Sequence, residues 1–164
     1  MRIQIVDLDG CISDDRHRRH HINPVLQRDY RQESESARKV MWHEYHSRCI
    51  LDKTANLNEV IEKEVVVLTG RPVRYREQTL MWLREEALIH PIFLLMRNDN
   101  DRSGSVVLKE RMVAGLIDVN SYRLQLGSLV LAIDDREDIV RMYQDRFGIP
   151  SKVVRIGEEE HDHA

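Results

Sequence analysis

Apolar residues along this chain gather into short unbroken runs separated by longer stretches of mixed character. Arg2 to Val6, Val65 to Leu68, Ile92 to Met96 and Leu129 to Ile133 are such runs, and Val153 to Ile156 is a weaker fifth. Runs that are apolar throughout, without alternation, predict strands covered on both faces, as in a parallel sheet. Helical spacing fills the intervals. Val73 to Leu88 carries Leu80, Leu83, Ala87 and Leu88 among charges; Val106 to Leu116 carries Val107, Leu108, Met112 and Leu116. Asp138 to Phe147 carries Ile139, Val140, Met142, Tyr143 and Phe147, and ends at Gly148-Ile149-Pro150, a helix-stop signal. Strands alternating with helices of this length predict βαβ units and a doubly wound, Rossmann-like α/β fold with a parallel sheet.

The stretch from Asp14 to Asn58 breaks the rhythm, being about twice too long for one crossover. Val25 to Tyr30 and Ser36 to Cys49 have helical character within it. It is expected to be a small helical insertion after the first strand, over about residues 14–58, covering the site. Residues 1–157 are then one domain, and the acidic, His-containing tail 158–164 is expected to be disordered. No apolar run approaches the length of a membrane span, and Asp7 and Asp9 interrupt the only early apolar stretch, so no signal pattern is present. A cytoplasmic protein is the simplest expectation. Cys11 and Cys49 fit it as free thiols, since their spacing is neither a disulfide framework nor a zinc pattern.

In open α/β sheets ligands bind beyond the carboxyl ends of the strands. After the first run come Asp7 and Asp9; after the second, Thr69, Gly70 and Arg71; after the fourth, Asp134 and Asp135. Lys109 lies near the start of the helical pattern from Val106 to Leu116. Each piece alone has a plain structural reading. Asp-x-Asp at a strand end is common, Asp134-Asp135 suits a helix N-cap, Thr69-Gly70 a turn, and Lys109 a solvated face. Together they are what phosphoryl transfer needs, which is mostly positioning and charge neutralisation. Asp7 can attack phosphorus and form an aspartyl-phosphate. Asp9 can protonate the leaving oxygen and later deprotonate water. Asp134 and Asp135, with Asp7, can hold magnesium, while Thr69, the N–H groups around Gly70 and Lys109 hold the phosphoryl oxygens.

At Val6-Asp7-Leu8-Asp9-Gly10, Leu68-Thr69-Gly70-Arg71-Pro72, Lys109 and Ala132-Ile133-Asp134-Asp135-Arg136 the sequence resembles the haloacid dehalogenase superfamily of phosphatases, from Ile3 to about Val154. The resemblance implies Asp7 as nucleophile and Asp9 as general acid and base. It also implies Mg2+ bound by Asp7, the main-chain carbonyl of Asp9, and Asp134 or Asp135. Within the superfamily the chain is most similar to the 3′-phosphatase domain of phage polynucleotide kinase and its relatives. The residues carrying this are Arg71-Pro72 with Tyr75, Thr79 and Trp82-Leu83, then Leu95-Met96-Arg97 with Asp101-Arg102, then Asp134-Asp135-Arg136 with Val140 and Met142. His17-Arg18 and Trp42 to His46 resemble the relatives' insertion. Arg18 and Arg71 are thereby expected to contact the substrate phosphate or its nucleotide. The chain departs from the pattern at Cys11, where Thr is usual, and at Ser105, where an Asp usually precedes the lysine by four residues.

The resulting expectation is a magnesium-dependent phosphomonoesterase that removes 3′-phosphates from nucleic-acid ends. A phosphatase of free nucleotides or another small phosphomonoester is the alternative. A metal-dependent nuclease is less consistent with Thr69, Arg71 and Lys109, and a receiver-like phosphoacceptor module with the order of the acids. No Gly-x-x-x-x-Gly-Lys-Ser/Thr loop occurs, so 5′-kinase activity would need another chain, and a separate kinase or ligase is an expected partner. The formal net charge of −3 argues against a generally basic nucleic-acid binder, yet Arg16 to His21 forms a local basic cluster. Trp42, Tyr45 and His46 read as packing of the insertion on the main domain or as a surface for a base, with packing the simpler.

Overall fold

The computed structural model describes residues 1–22, 35–121 and 124–157. Five strands form one parallel sheet: β1 (Ile3–Val6), β4 (Glu64–Pro72), β5 (Phe93–Arg97), β6 (Leu129–Asp134) and β7 (Ser151–Val153). Their spatial order is β5-β4-β1-β6-β7. The chain builds outward from β1 in one direction and then returns to build in the other. The order therefore reverses between β1 and β6, a topological switch point where the crevice opens at the carboxyl ends.

The sheet is buried on both faces, which is why its strands read as continuous apolar runs. On one face Val6, Val65, Val67 and Leu94 pack with Trp82 and Leu83 of α2 (Arg76–Glu85). On the other, Ile3, Ile5, Val66, Leu68 and Ala132 pack with Val113 and Leu116 of α3 (Ser105–Ile117) and with Ile139, Met142 and Tyr143 of α4 (Glu137–Phe147). Alternate side chains of β1 thus serve opposite layers. Helix α4 stops where expected: Gly148 has φ 63°, and the N–H groups of Gly148 and Ile149 reach back to the carbonyls of Gln144 and Tyr143.

Three boundaries differ from expectation. The last strand is Ser151–Val153 rather than 153–156, because Ser151 pairs with Ala132 and the pairing is spent before the β-branched run ends. The second does not turn at Thr69 but continues to Pro72, with a register shift against β5 between Leu68 and Pro72. In the insertion, helix α1 spans Glu35–His46 and yields to a short 3-10 turn at Cys49–Leu51. The expected helix at Val25 to Tyr30 and the tail 158–164 lie outside the described residues.

A two-stranded antiparallel ladder, β2 (Ser13–Asp14) with β3 (Lys53–Thr54), closes the base of the insertion. A 3-10 segment, Arg16–Ile22, precedes α1. The returning chain is fastened by Gln4, whose fully buried amide donates to the Glu59 carbonyl (2.8 Å) and accepts from Ile61 N (2.8 Å). Among the described residues no helix is long and apolar enough to cross a membrane. Both cysteines are free and buried.

Candidate active site

Asp7 is the first residue past β1, and its N–H donates to the Ile133 carbonyl of β6, so the strand ladder fixes its position at the switch point. Asp134 ends β6 directly alongside. With Asp135 they form a cluster whose carboxylate oxygens lie within 4.8 Å of one another. Asp7 and Asp134 are buried. Lys109, on the second turn of α3 and itself buried, donates to Asp7 Oδ1 (2.6 Å) and to Asp134 Oδ2 (2.5 Å). The N-cap of α4 is Arg136, so Asp134 and Asp135 are not the cap that a local reading allows.

Burial and the neighbouring Asp134 push the Asp7 carboxyl well above the ordinary carboxylate range. Burial, with Asp134 beside it, pushes Asp135 up to about 6. Burial works against the Lys109 ammonium, but Asp134 and Asp7 outweigh it and hold it well above its usual value. One cation among three close carboxylates leaves surplus negative charge, and the donors are all hard oxygens. That set fits a divalent ion such as magnesium. The carboxylate of Asp9 is not part of the cluster, which leaves its main-chain carbonyl as the atom the resemblance assigns to the metal.

The loop after β1 wraps around one carbonyl. Leu8 O accepts from the N–H groups of Cys11, Ile12 and Ser13 at 3.0, 3.1 and 2.9 Å. This tight turn requires Gly10, with φ 79°. A Cβ there would sit 2.6 Å from Asp135 Oδ2 and 3.3 Å from Arg19 Nη2. Gly10→Ala is therefore expected to displace Asp135 and so weaken divalent-cation binding by the acidic cluster by about tenfold or more. It should also cost roughly 1–2 kcal/mol of stability from the left-handed backbone. A magnesium titration and a urea melt measure the two effects.

Asp9 faces the other way. Arg18 Nη2 (2.5 Å) and Arg71 Nη2 (2.6 Å) both donate to its Oδ1, and Arg71 Nε adds a bond of 3.0 Å. Burial opposes its charge, but Arg71 and Arg18 prevail and hold it far below the ordinary carboxylate range. Both guanidiniums are completely buried. They share a second, fully buried partner, Asp52. Asp52 Oδ1 accepts from Arg18 Nε (2.8 Å), and Asp52 Oδ2 accepts from Arg18 Nη2 (2.6 Å), Ser13 Oγ (2.5 Å) and Arg71 Nη2 (3.4 Å). His17 Nε2 lies 2.7 Å from Asp52 Oδ1, and Trp82 Nε1 donates to the Asp52 carbonyl. The Arg18 guanidinium also sits 4.2 Å over the ring of Tyr45, whose hydroxyl donates to Asp15.

The structure thus brings Asp7, Lys109, Asp134 and Asp135 into one cluster, and Asp9, Arg18 and Arg71 into an adjoining one. Thr69 is buried beside them, its Oγ1 accepting from Arg71 N at 3.1 Å, and Gly70 follows it at the crevice edge. Sequence reasoning missed Asp52 and Ser13. Asp52 stands between exposed Leu51 and Lys53 in a loop without periodicity, and nothing local marks it. Trp42, read as packing between insertion and main domain, keeps 36% of its surface exposed and stacks on His46 at 5.6 Å. Trp82 is the tryptophan that performs such packing: it is fully buried in α2 and reaches the insertion through Asp52.

Solved structures of similar shape are two of a Pnkp1/Rnl/Hen1 complex, one described as an RNA repair complex. They have TM-scores of 0.67 and 0.66, and 22% and 21% identity. Each alignment covers 96% of this chain but only 43% and 46% of the other, so this chain spans less than half the length of those relatives. A haloacid dehalogenase-like hydrolase, SP0104 from Streptococcus pneumoniae, has a TM-score of 0.59 at 10% identity, covering 93% of this chain and 84% of that one. At these identities the likeness concerns the fold. No curated protein matches the sequence. The family described as the polynucleotide kinase PNKP phosphatase domain matches residues 1–158, nearly the whole chain. This chain belongs to that family, and it is a phosphatase of the haloacid dehalogenase type.

Proposed function

We propose that the chain is a magnesium-dependent phosphomonoesterase that works through an aspartyl-phosphate on Asp7 and removes 3′-phosphates from nucleic-acid ends. The observation that carries this reading is the convergence of Asp7, Asp134, Asp135 and Lys109 at the switch point of the sheet. A divalent cation held by Asp7, Asp134, Asp135 and the Asp9 carbonyl would neutralise charge between the carboxylates and the phosphoryl group. In the first step an Asp7 carboxylate oxygen attacks phosphorus, the ester P–O bond breaks, and the leaving oxygen takes a proton from Asp9. In the second, water attacks the acyl phosphate and gives its proton to Asp9, releasing inorganic phosphate and Asp7. Lys109, Thr69 and the backbone at Gly70 hold the phosphoryl oxygens.

Asp9 starts this sequence ionised, gripped by two guanidiniums. A phosphate group competing for Arg18 and Arg71 relaxes that grip, which is the condition for Asp9 to acquire the proton it donates. The acid is therefore armed by the substrate rather than by the resting site.

The nucleic-acid substrate is supported by the family's description and by a relative's place in an RNA repair complex with Rnl and Hen1. The same relative supports an end-healing assembly, with a separate kinase or ligase as partner. The test is phosphate release from a 3′-phosphorylated DNA or RNA oligonucleotide, with magnesium and with EDTA, beside 3′- and 5′-mononucleotides. Magnesium-dependent release that is fastest from the oligonucleotide is the expected result. Release from mononucleotides alone would retain the chemistry and replace the substrate.

A further inference from the structure

The cations of the site differ in how they are balanced. Lys109 is matched by Asp7 and Asp134, and the buried pair Arg18 and Arg71 by Asp9 and Asp52. Arg97, at the carboxyl end of β5, is balanced by neither. Its Nε donates to the Gly70 carbonyl (3.2 Å), and its Nη1 to the carbonyls of Asp101 (3.2 Å) and Ser103 (2.6 Å). These are neutral acceptors. The nearby Asp101 carboxylate is taken by Arg111 (2.9 Å) and by Ser103 Oγ (2.6 Å). Among the described residues Arg97 makes no ion pair with a carboxylate, and its Nη2 has no hydrogen-bond partner. Nη2 lies 3.8 Å from where a Cβ on Gly70 would stand. Burial pushes the half-buried guanidinium below its usual proton affinity, with Arg111 adding to this and the Asp101 charge only partly opposing it.

We propose that Arg97 is a substrate-binding residue that takes a second anionic phosphate, the phosphodiester on the 5′ side of the nucleoside that bears the 3′-phosphate. This rests on the reading of the site as a 3′-phosphatase of nucleic-acid ends. The sheet order supplies the geometry. Arg97 stands on β5, two strands from β1, so at about 4.8 Å per strand it is offset from the Asp7 strand by roughly 10 Å, about the span of one nucleoside. Three of its five N–H groups are fixed on carbonyls, so the group is already oriented and little entropy is lost when an anion binds. A mononucleotide with only a 3′-phosphate offers it nothing, and a polynucleotide end does, which gives the site a means of preferring chains.

The test compares two 3′-phosphorylated dinucleotides, one with its natural diester and one with an uncharged methylphosphonate at that link, beside a 3′-mononucleotide. Wild type is expected to show a KM roughly tenfold or more lower for the natural dinucleotide. Arg97→Met should raise that KM to the methylphosphonate value, with a several-fold smaller effect on the methylphosphonate substrate, and Arg97→Lys should restore part of the preference. Lowering the salt dependence of binding by about one charge in Arg97→Met is the companion result. Equal treatment of the two dinucleotides by wild type overturns the inference, and needs no variant. So does an Arg97→Met variant that harms both substrates alike, which would make Arg97 only a brace for the Gly70 turn. Wild type that cleaves the mononucleotide and neither dinucleotide would instead defeat the 3′-end reading itself.

Discussion

Asp7→Asn is expected to reduce phosphate release by on the order of 10^4-fold or more, to background, while the protein stays folded. The amide keeps the shape of the carboxylate but has no anionic oxygen to attack phosphorus. Folding should not suffer. Asp7 is buried beside Asp134 and Asp135, and its carboxyl sits well above the ordinary range because its charged form is disfavoured there. Such a group detracts from stability at neutral pH, so removing its charge is neutral or stabilising. Lys109 keeps Asp134 as its counter-ion. A thermal midpoint measured in EDTA should equal or exceed that of wild type. Substantial turnover in a folded Asp7→Asn protein would eliminate the covalent route.

Asp52→Ala is expected to do the opposite, lowering stability by about 3–5 kcal/mol, with loss of activity following from that. Arg18 and Arg71 are fully buried, and this substitution would leave two guanidiniums with the single carboxylate of Asp9. It would also leave Ser13 Oγ without its acceptor. An uncompensated buried charge costs far more than a lost surface pair. Glu137→Ala, which breaks the exposed pair with Arg141, should change stability by less than about 1 kcal/mol. Urea unfolding of the two variants in parallel measures the contrast. A loss at Asp52 no larger than at Glu137 would show that the arginines find other partners.

Those two residues also mark what the sequence makes legible. Asp7 could be found because it terminates a β-branched run, and a run's end is visible without knowing what lies beside it. The same holds for Thr69 and for Asp134. The fold class followed from the same runs, since strands buried on both faces lose their alternation. Asp52 carries as much of the site's electrostatics, yet its importance arises from Arg18, Arg71 and Ser13, which converge on it only in three dimensions. The β2–β3 ladder was illegible for another reason: two residues per strand are too few to show a period. At the last strand, hydrophobicity misled by a few residues, because pairing with β6 rather than side-chain character sets where β7 begins. Arg18 and Arg71 were expected at the substrate; the structure gives each a carboxylate on both sides, so any contact with phosphate must be won by exchange.

The ladder has an implication for how this enzyme could change. Asp14 and Lys53 face each other across it, so the excursion between them leaves and re-enters the scaffold at nearly one point. Such a pinched base makes the excursion exchangeable in principle, because a different segment could be spliced at the same two residues without moving β1 and Asp7. One tether restricts that freedom. Asp52 sits immediately before the splice and Arg18 just after its other end, and the two are bonded to each other and to the scaffold's Arg71. A transplanted segment would succeed only if it carried that acid and that base with it, so substrate range and the charge balance of the reaction centre are inherited together.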